Sequence, residues 1–565
     1  MLILGGAAVI NALSGVDLSA AAFLIPMGVT LYTAQGGLKA TFIASWAHVT
    51  IIYIALCIFM FKIYTTDPTL GSPTKVWNNL NIMNGIIPVD GNHPLGTMLT
   101  MKSHNGCAPG AAPAPTRVRS RAASALYSLS PPPSLLFGII NIIGNFGTVF
   151  VDQAYWQGAI AAKPSATYKG YLLGGMCWFA IPFTLATTLG LAGRAYDLPL
   201  TFAEAGAGLV PPAVASHTMG VGGAFLIVLQ LFMAVTASGS AEQIAVSSIF
   251  AYDIFKRYMK PHATGADIIH MARLGVFGYG AISGMLAVSL QQLGLNLGWV
   301  YNAMGIFIGS AVLPLSLSIT WSKCSGNAAV AGAILAQIAG IIAWVVQGWK
   351  ETNKTPLCGG CTKGKVTYEA LGTLNAQLAG NCAALFGSIF ITIPWSLLYP
   401  QNFDWKVLRK LTDGNMVDAF ETDDSALLDD EGPDSREAMD KALNWTYATG
   451  SALTLILIIL WPCLAIPAGH FSQSYWGWWV ALAIIWGLVA TISTICLPLW
   501  EARAVFIAIL SSLVHGKIPE GHEASTHHAK ERGHGISGHD PSVSVRQRNP
   551  MAAEDPAPVA ASVSA

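Results

Sequence analysis

The amino-acid sequence contains eleven stretches that are each long and apolar enough to cross a lipid bilayer. The hydrocarbon core of a bilayer is about 30 Å thick, so a helix that crosses it needs roughly 20 apolar residues. The sequence therefore predicts an all-α polytopic membrane protein, in which a short N-terminal helix remnant precedes spans at residues 20–36, 40–62, 136–160, 168–192, 221–252, 269–292, 296–321, 327–349, 379–399, 445–467 and 476–500.

The composition excludes several other classes of protein. Hydrophobic residues make up 53% of the chain and charged residues 11%, whereas a soluble domain carries about 25% charged residues. The net charge is zero, which gives no reason to expect a nucleic-acid partner. The spans contain no metal-ligand spacing, nucleophile motif or phosphate loop. We therefore expect no enzymatic activity, no cofactor or metal, and no obligate protein partner.

The domain organisation follows from where the apolar pattern stops. Residues 1–502 are predicted to form one transmembrane domain, with a low-complexity insert at 103–135 in an outside loop and an acidic cytoplasmic loop at 400–443. Residues 503–565 form a His-rich tail that we expect to be disordered and cytoplasmic. The bias of Lys and Arg toward alternate loops sets this orientation.

The span at 136–160 is the most informative part of the sequence. It contains the run from Gly144 to Gly147, and two glycines around an asparagine predict a break in the helix at that point. Asn145, Thr148 and Asp152 share one helical face, and a carboxylate inside a span costs about 2.5–3.5 kcal/mol on insertion scales. This span is predicted to hold a functional site, although Asp152 could instead cap or pair near the membrane boundary.

The span at 221–252 carries a second set of polar residues. One face of the predicted helix carries the hydroxyl and amide side chains of Thr236, Ser240, Gln243 and Ser247. A second face carries Ser238 and Glu242. Hydroxyl groups of this kind often bond across neighbouring helices. Clustered oxygens also suit a hard cation, and Glu242 could carry a proton.

A third candidate region lies at the start of the span at 296–321. Asn296, Trp299, Tyr301 and Asn302 enter the apolar run together. Trp and Tyr are enriched where helices meet the headgroup region. We interpret these aromatic residues as interface anchors rather than as part of a site.

Four segments of the chain together resemble the sodium:solute symporter family. They are GGLKA at 36–40, GNFGTVFVDQAYWQ at 144–157, MAVTASGSAEQIAVSSIFAYDIF at 233–255 and WSKCSGNAAVAGAI at 321–334. The nearest likeness is to the urea–proton symporter branch of that family, found in plants, fungi and algae. The resemblance covers nearly all of residues 1–500 apart from the insert.

The resemblance implies a LeuT-like inverted-repeat fold that works by alternating access, with 136–160 as the broken first helix of the second repeat. The substrate-binding residues would be Asn145, Phe146, Gly147, Thr148, Asp152, Gln153, Trp156 and Gln157. The ion-coupling residues would be Ala234, Thr236, Ala237, Ser238, Glu242 and Asp152. Ala237 stands where sodium-coupled members usually have a hydroxyl, which favours a proton over sodium.

The resemblance also predicts that part of the usual site is absent. Members of the family have further helices before the one whose end is residues 1–15, and those helices supply half of the substrate and ion sites. We therefore expect a chain that is truncated at its N-terminus. The insert at 103–135 likewise interrupts a loop that is normally short.

The expected function is symport of urea with a cation, most simply a proton, across the plasma membrane, so the expected partners are urea and the lipid bilayer. A passive channel for urea or another small solute is an alternative, as is a sodium-coupled symporter for another small polar solute such as a polyamine. A receptor that senses its solute is a further alternative, but it would need a soluble effector domain.

Overall fold

The computed structural model describes residues 1–86, 97–101, 133–162, 164–353, 364–405, 436–465, 467–501 and 503. Throughout these ranges the regular structure is helical. The α-helices are α1 Leu2–Ser14, α2 Leu18–Phe61, α3 Pro73–Ile86, α4 Pro133–Val151, α5 Gln153–Ala161, α6 Pro164–Leu185, α7 Leu191–Ala195, α8 Phe202–Gly206, α9 Val210–Ser248, α10 Gly265–Gln292, α11 Leu297–Ile308, α12 Val312–Thr320, α13 Gly326–Asn353, α14 Tyr368–Leu371, α15 Leu374–Leu398, α16 Arg436–Thr454, α17 Trp461–Ala465 and α18 Gln473–Glu501.

The predicted number of membrane spans is confirmed. In the described ranges ten helices are long and apolar enough to cross a bilayer, and a bent pair, Leu135–Val151 with Gln153–Ala161, makes an eleventh. Each of the eleven predicted stretches falls on one of these spans. The long helix α2 supplies two of them because it kinks at Gly37, where φ is 56° and ψ is −155°.

Side chains that bond to backbone carbonyls across helices hold the second span against α6 and the turn that follows it. Tyr53 donates its hydroxyl to the carbonyl of Cys177 at 2.7 Å, and Tyr64 donates to the carbonyl of Thr187 at 2.6 Å. Thr187 lies in a π-helical turn, Ala186–Gly190, that follows α6. A π-helical turn leaves carbonyl groups without their usual partner in the helix, and the Tyr64 hydroxyl satisfies one of them.

A short loop after the second span is built around a buried carboxylate, Asp67. Its side chain accepts the backbone N–H groups of Thr69 at 2.9 Å and Leu70 at 2.8 Å. Burial alone would raise the pKa of Asp67, but the hydrogen bonds from Leu70 and Thr69 and the nearby charge of Lys62 outweigh it and hold this pKa below its ordinary value. The charged form of Asp67 therefore stabilises the folded protein.

Replacing Asp67 with asparagine is expected to lower the melting temperature of the purified protein at neutral pH, because hydrogen bonds to a charged group are worth about 1.5–3 kcal/mol. A group with a lowered pKa contributes stability above its unfolded pKa and loses it as the pH falls through the folded pKa. The wild-type and variant melting temperatures should therefore converge as the pH is lowered below 4. A difference that stays constant from pH 8 to pH 4 would contradict this account.

Residues Met1–Pro498 form one compact unit, and the described residues 499–501 and 503 do not belong to it. Several predicted segments lie outside the described residues. They are 103–132 of the insert, 406–435 of the acidic loop and 504–565 of the tail.

Candidate functional site

The span predicted to hold the site is a broken helix, but the break lies later than the glycines indicate. Residues 144–147 belong to the uninterrupted helix α4, and the chain bends by 50° between α4 and α5. The single residue at the bend is Asp152, with φ −73° and ψ 115°. Its carboxylate accepts the N–H of Ala154 at 2.8 Å and so caps α5.

The glycines of α4 serve close packing instead of a break. Gly144 faces Gly305 on α11, where a Cβ built on Gly305 would lie 3.0 Å from the Cα of Gly144. One turn later a Cβ on Gly147 would lie 2.6 Å from Cγ1 of Ile308. Glycines without a Cβ let two helix backbones approach closely in a membrane. The prediction that residues 144–147 break the helix is therefore wrong, because the neighbouring helix α11 packs into the space that these glycines leave free.

Asn145 lies at the centre of a hydrogen-bond network between α4 and α11. Its Nδ2 donates to the carbonyl of Asn141 at 2.7 Å, to Oδ1 of Asn141 at 2.8 Å and to the hydroxyl of Tyr301 at 3.2 Å. The Tyr301 hydroxyl in turn donates to Oδ1 of Asn141. Asn145 is exposed and Asn141 is half-buried, so the network borders an open face of the bundle.

Sequence reasoning missed Asn141 and Tyr301 as members of this cluster. The position of Tyr301 near the start of a span favours an interface anchor instead. A signal was nevertheless present, since Gly305 and Gly309 on α11 have the spacing of a close helix contact and could have been paired with Gly144 and Gly147. That pairing places Tyr301, one turn before Gly305, beside α4.

The other predicted substrate residues of α4 point in different directions. Thr148 lies toward α11, where its hydroxyl bonds to the carbonyl of Gly144 at 3.1 Å and contacts the sulfur of Met304 at 3.3 Å. Phe146 is 45% exposed and lies beside Phe150, with ring centroids 6.1 Å apart. The structure therefore places Asn145 and Phe146 on accessible surface and Thr148 in a helix contact.

Residues beyond the break connect α5 to its surroundings. Trp156 donates its indole N–H to the carbonyl of Phe150 at 2.9 Å, which bridges the bend. Gln157 donates to the hydroxyl of Ser248 at 2.8 Å and so attaches α5 to α9. Gln153 is exposed.

Two carboxyl groups meet where α5 begins. Glu242 of α9 lies close to Asp152, and the phenol groups of Tyr155 and Tyr279 lie near both acids. Because the Gln157–Ser248 bond lies further along the same two helices, α5 runs beside α9 for its first two turns. The bend therefore brings acidic side chains from two different helices together.

The remaining predicted ion-coupling residues of α9 do not come together. Thr236 is buried, and its hydroxyl bonds to the carbonyls of Phe232 at 2.7 Å and Met233 at 3.0 Å. Ser238 is exposed, whereas Ala234 and Ala237 are half-buried.

The predicted hydroxyl and amide face of α9 is buried, and it faces α2. Gln243 donates to the Thr30 hydroxyl at 2.8 Å, and Tyr32 donates to the carbonyl of Thr236 at 3.2 Å. This face therefore supports helix packing, which is the interpretation the sequence analysis left open beside a cation site.

A bundle of apolar spans that includes a sharply bent helix, with polar side chains gathered at its break, is typical of secondary transporters. The sequence profile described as Sodium:solute symporter family matches residues 2–336. The chain belongs to this family, as its resemblance predicts.

Individual relatives extend the match beyond the profile. The chain is 42% identical to the urea-proton symporter DUR3 of Oryza sativa subsp. japonica over 528 residues, which cover 91% of this chain and 67% of the relative. It is 34% identical to the probable urea active transporter 1 of Schizosaccharomyces pombe, over 91% of this chain and 71% of that protein. A shorter match of 125 residues, 25% identical, joins it to the sodium/proline symporter of Escherichia coli, over 22% of this chain and 24% of that protein.

Proposed function

We propose that this protein carries urea across the plasma membrane together with a cation, by alternating access around the break at Asp152. The observation that carries the proposal is the broken helix, which presents the exposed Asn145 two turns before the break and Asp152 at the break, close to Glu242. Similarity to proteins named as urea transporters supports the choice of substrate. In this proposal the transport domain spans residues 1–502.

The chemistry of the candidate site suits urea. Urea is small, planar and neutral, with four N–H donors and one carbonyl acceptor, so its site needs several acceptors and one or two donors. Amide side chains provide both, and carboxylates provide acceptors. We assign substrate contact to the accessible polar groups along α4 and α5 and to their neighbours, namely Asn145, Phe146, Gly147, Thr148, Asp152, Gln153, Trp156 and Gln157.

The coupling ion is proposed to be a proton carried by Asp152 and Glu242. A neutral solute gains nothing from the membrane potential, whereas one charge moved across 100 mV supplies about 2.3 kcal/mol. That energy supports roughly fifty-fold accumulation at 1.4 kcal/mol per decade. A sodium site built from Ala234, Thr236, Ala237 and Ser238 is less well supported, since Ala237 has no hydroxyl and the Thr236 hydroxyl is engaged within its own helix.

Uptake of radiolabelled urea by yeast cells that lack their own urea transporters tests the proposal. We expect the cells that express this chain to accumulate urea above its external concentration, and a protonophore to abolish that accumulation. Uptake that equilibrates without ion dependence would indicate a passive channel. Accumulation that needs sodium and ignores the protonophore would replace the proton with sodium.

A further inference from the structure

We infer that Asn141 and Tyr301 set the hydrogen-bonding polarity of Asn145, so that the site presents a carbonyl oxygen beside an amide N–H and selects solutes with the matching edge. This inference rests on the proposed function and concerns the specificity of the same site. The two residues that determine this specificity, Asn141 and Tyr301, are not among the predicted substrate-binding residues, whereas Asn145 is.

The orientation of the Asn145 amide follows from its surroundings. Its nitrogen faces three acceptors, which are the carbonyl and Oδ1 of Asn141 and the hydroxyl of Tyr301. An amide nitrogen has two hydrogens to donate, and an amide oxygen has none. If the amide were turned by half a rotation, its oxygen would face the Asn141 acceptors at less than 3 Å. Oδ1 of Asn145 is therefore directed away from Asn141 and remains available as an acceptor.

The orientation of the Asn141 amide depends on Tyr301. The Tyr301 hydroxyl has one hydrogen, which it donates to Oδ1 of Asn141, and it accepts from Asn145. This donation identifies the atom beside Tyr301 as the oxygen of Asn141 and leaves Nδ2 on the other side of the amide. Within the described residues no acceptor bonds to that nitrogen. Asn141 thus contributes a donor that a ligand can use.

The ring of Tyr301 is itself held in place. It stacks on Phe137 with ring centroids 6.5 Å apart and an interplanar angle of 29°. Phe137, Asn141 and Asn145 follow one another at intervals of four residues, so they share one face of α4. Tyr301 spans this face from the neighbouring helix.

The two unused groups match one edge of urea. An acceptor, Asn145 Oδ1, and a donor, Asn141 Nδ2, stand one helical turn apart on α4. Each primary amide has an edge on which a carbonyl oxygen lies beside an N–H, and urea has two such edges. The site should therefore accept urea and acetamide, and it should discriminate against acetone, which is similar in size and lacks the N–H donors.

The ratio of the dissociation constants of acetone and acetamide measures this polarity directly. We expect a large ratio for the wild type and a ratio lowered by about 3–10-fold in Tyr301→Phe, because one hydrogen bond of roughly 1 kcal/mol no longer fixes the two amides. The ratio is read from ligand stabilisation in thermal melts of the purified protein and from competition with urea uptake. A merely structural role of Tyr301 would lower the amount of folded protein without altering the ratio.

Two further variants complete the experiment. Tyr53→Phe loses a comparable buried hydroxyl bond, to the carbonyl of Cys177, and should leave the ratio unchanged. Asn141→Asp removes the donor to the ligand carbonyl with little change of shape, so it should raise the dissociation constants of acetone and acetamide alike, and this test remains even if Tyr301→Phe does not fold. An unchanged ratio in Tyr301→Phe, or dissociation constants in Asn141→Asp that equal those of the wild type, would overturn the inference.

The outcomes for the inference and for the proposed function remain distinct. A wild-type protein that prefers acetamide to acetone in thermal melts but does not take up urea would overturn the proposed function alone. A wild-type protein that takes up urea but shows no preference for acetamide would overturn the inference alone.

Discussion

An Asp152→Asn variant is expected to lose uphill accumulation of urea while it still exchanges urea down a gradient. Asparagine is as good a helix cap as aspartate, so the start of α5 should survive the substitution. What disappears is the carboxyl group that, in the proposed mechanism, carries the coupling proton together with Glu242 of α9. The accumulation ratio should fall toward one, from as much as roughly fifty-fold per 100 mV of membrane potential. The measurement is steady-state urea accumulation, with urea exchange measured in parallel.

Matched variants separate loss of the proton from loss of structure. Asp253→Asn removes an exposed carboxylate at the end of the same span as Glu242 and should leave accumulation unchanged. Glu242→Gln should reproduce the loss. The double variant should lose no more than either single one, because residues that share one proton are not additive. Full accumulation by Asp152→Asn would remove Asp152 from the coupling mechanism.

A Gly305→Ala variant is expected to lose most of its folded protein. The added Cβ would overlap Oδ1 of Asn381, whose side chain is fully buried, and would lie 3.0 Å from the backbone of Gly144. Neither neighbour is the flexible end of a long side chain, so the helices must separate. Overpacking of this kind costs about 1–3 kcal/mol and sometimes more. The readouts are the yield of monodisperse protein in detergent and its melting temperature.

The control for this variant lies on the partner helix. Gly138 of α4 has open space where a Cβ would stand, so Gly138→Ala should leave the yield unchanged. Combining Gly305→Ala with Asn381→Ala removes the overlapping oxygen and should restore part of the melting temperature. Normal yield and stability of Gly305→Ala alone would show that α4 and α11 do not pack as closely as described.

The positions of the spans could be predicted because hydropathy is a local property. A stretch of about 20 apolar residues signals a membrane helix whatever its neighbours are. The position of the break, in contrast, depends on contacts with a helix that is distant in the sequence. Gly144 and Gly147 weaken a helix and also permit a close helix contact, and only the partner helix decides between the two. That partner carries Gly305 and Gly309, which are about 160 residues further along the chain.

The same distinction explains the outcome for α9. Helical periodicity correctly grouped Thr236, Ser240, Gln243 and Ser247 on one face. Periodicity does not reveal what a face packs against, and here the face packs against α2 through Thr30 and other residues. The second face, with Glu242, is the one that reaches the broken helix.

The bend at Asp152 is concentrated in one residue, and this has a mechanical consequence. With nine residues at 1.5 Å each, α5 is an arm about 13 Å long whose direction relative to α4 depends on the single pair of backbone dihedral angles at Asp152. Straightening the whole 50° bend would move the end of the arm by about 11 Å, and a rotation of about 5° would already move it by about 1 Å. The carboxyl group of Asp152 thus stands at the point where the smallest change of dihedral angle produces the largest displacement of α5.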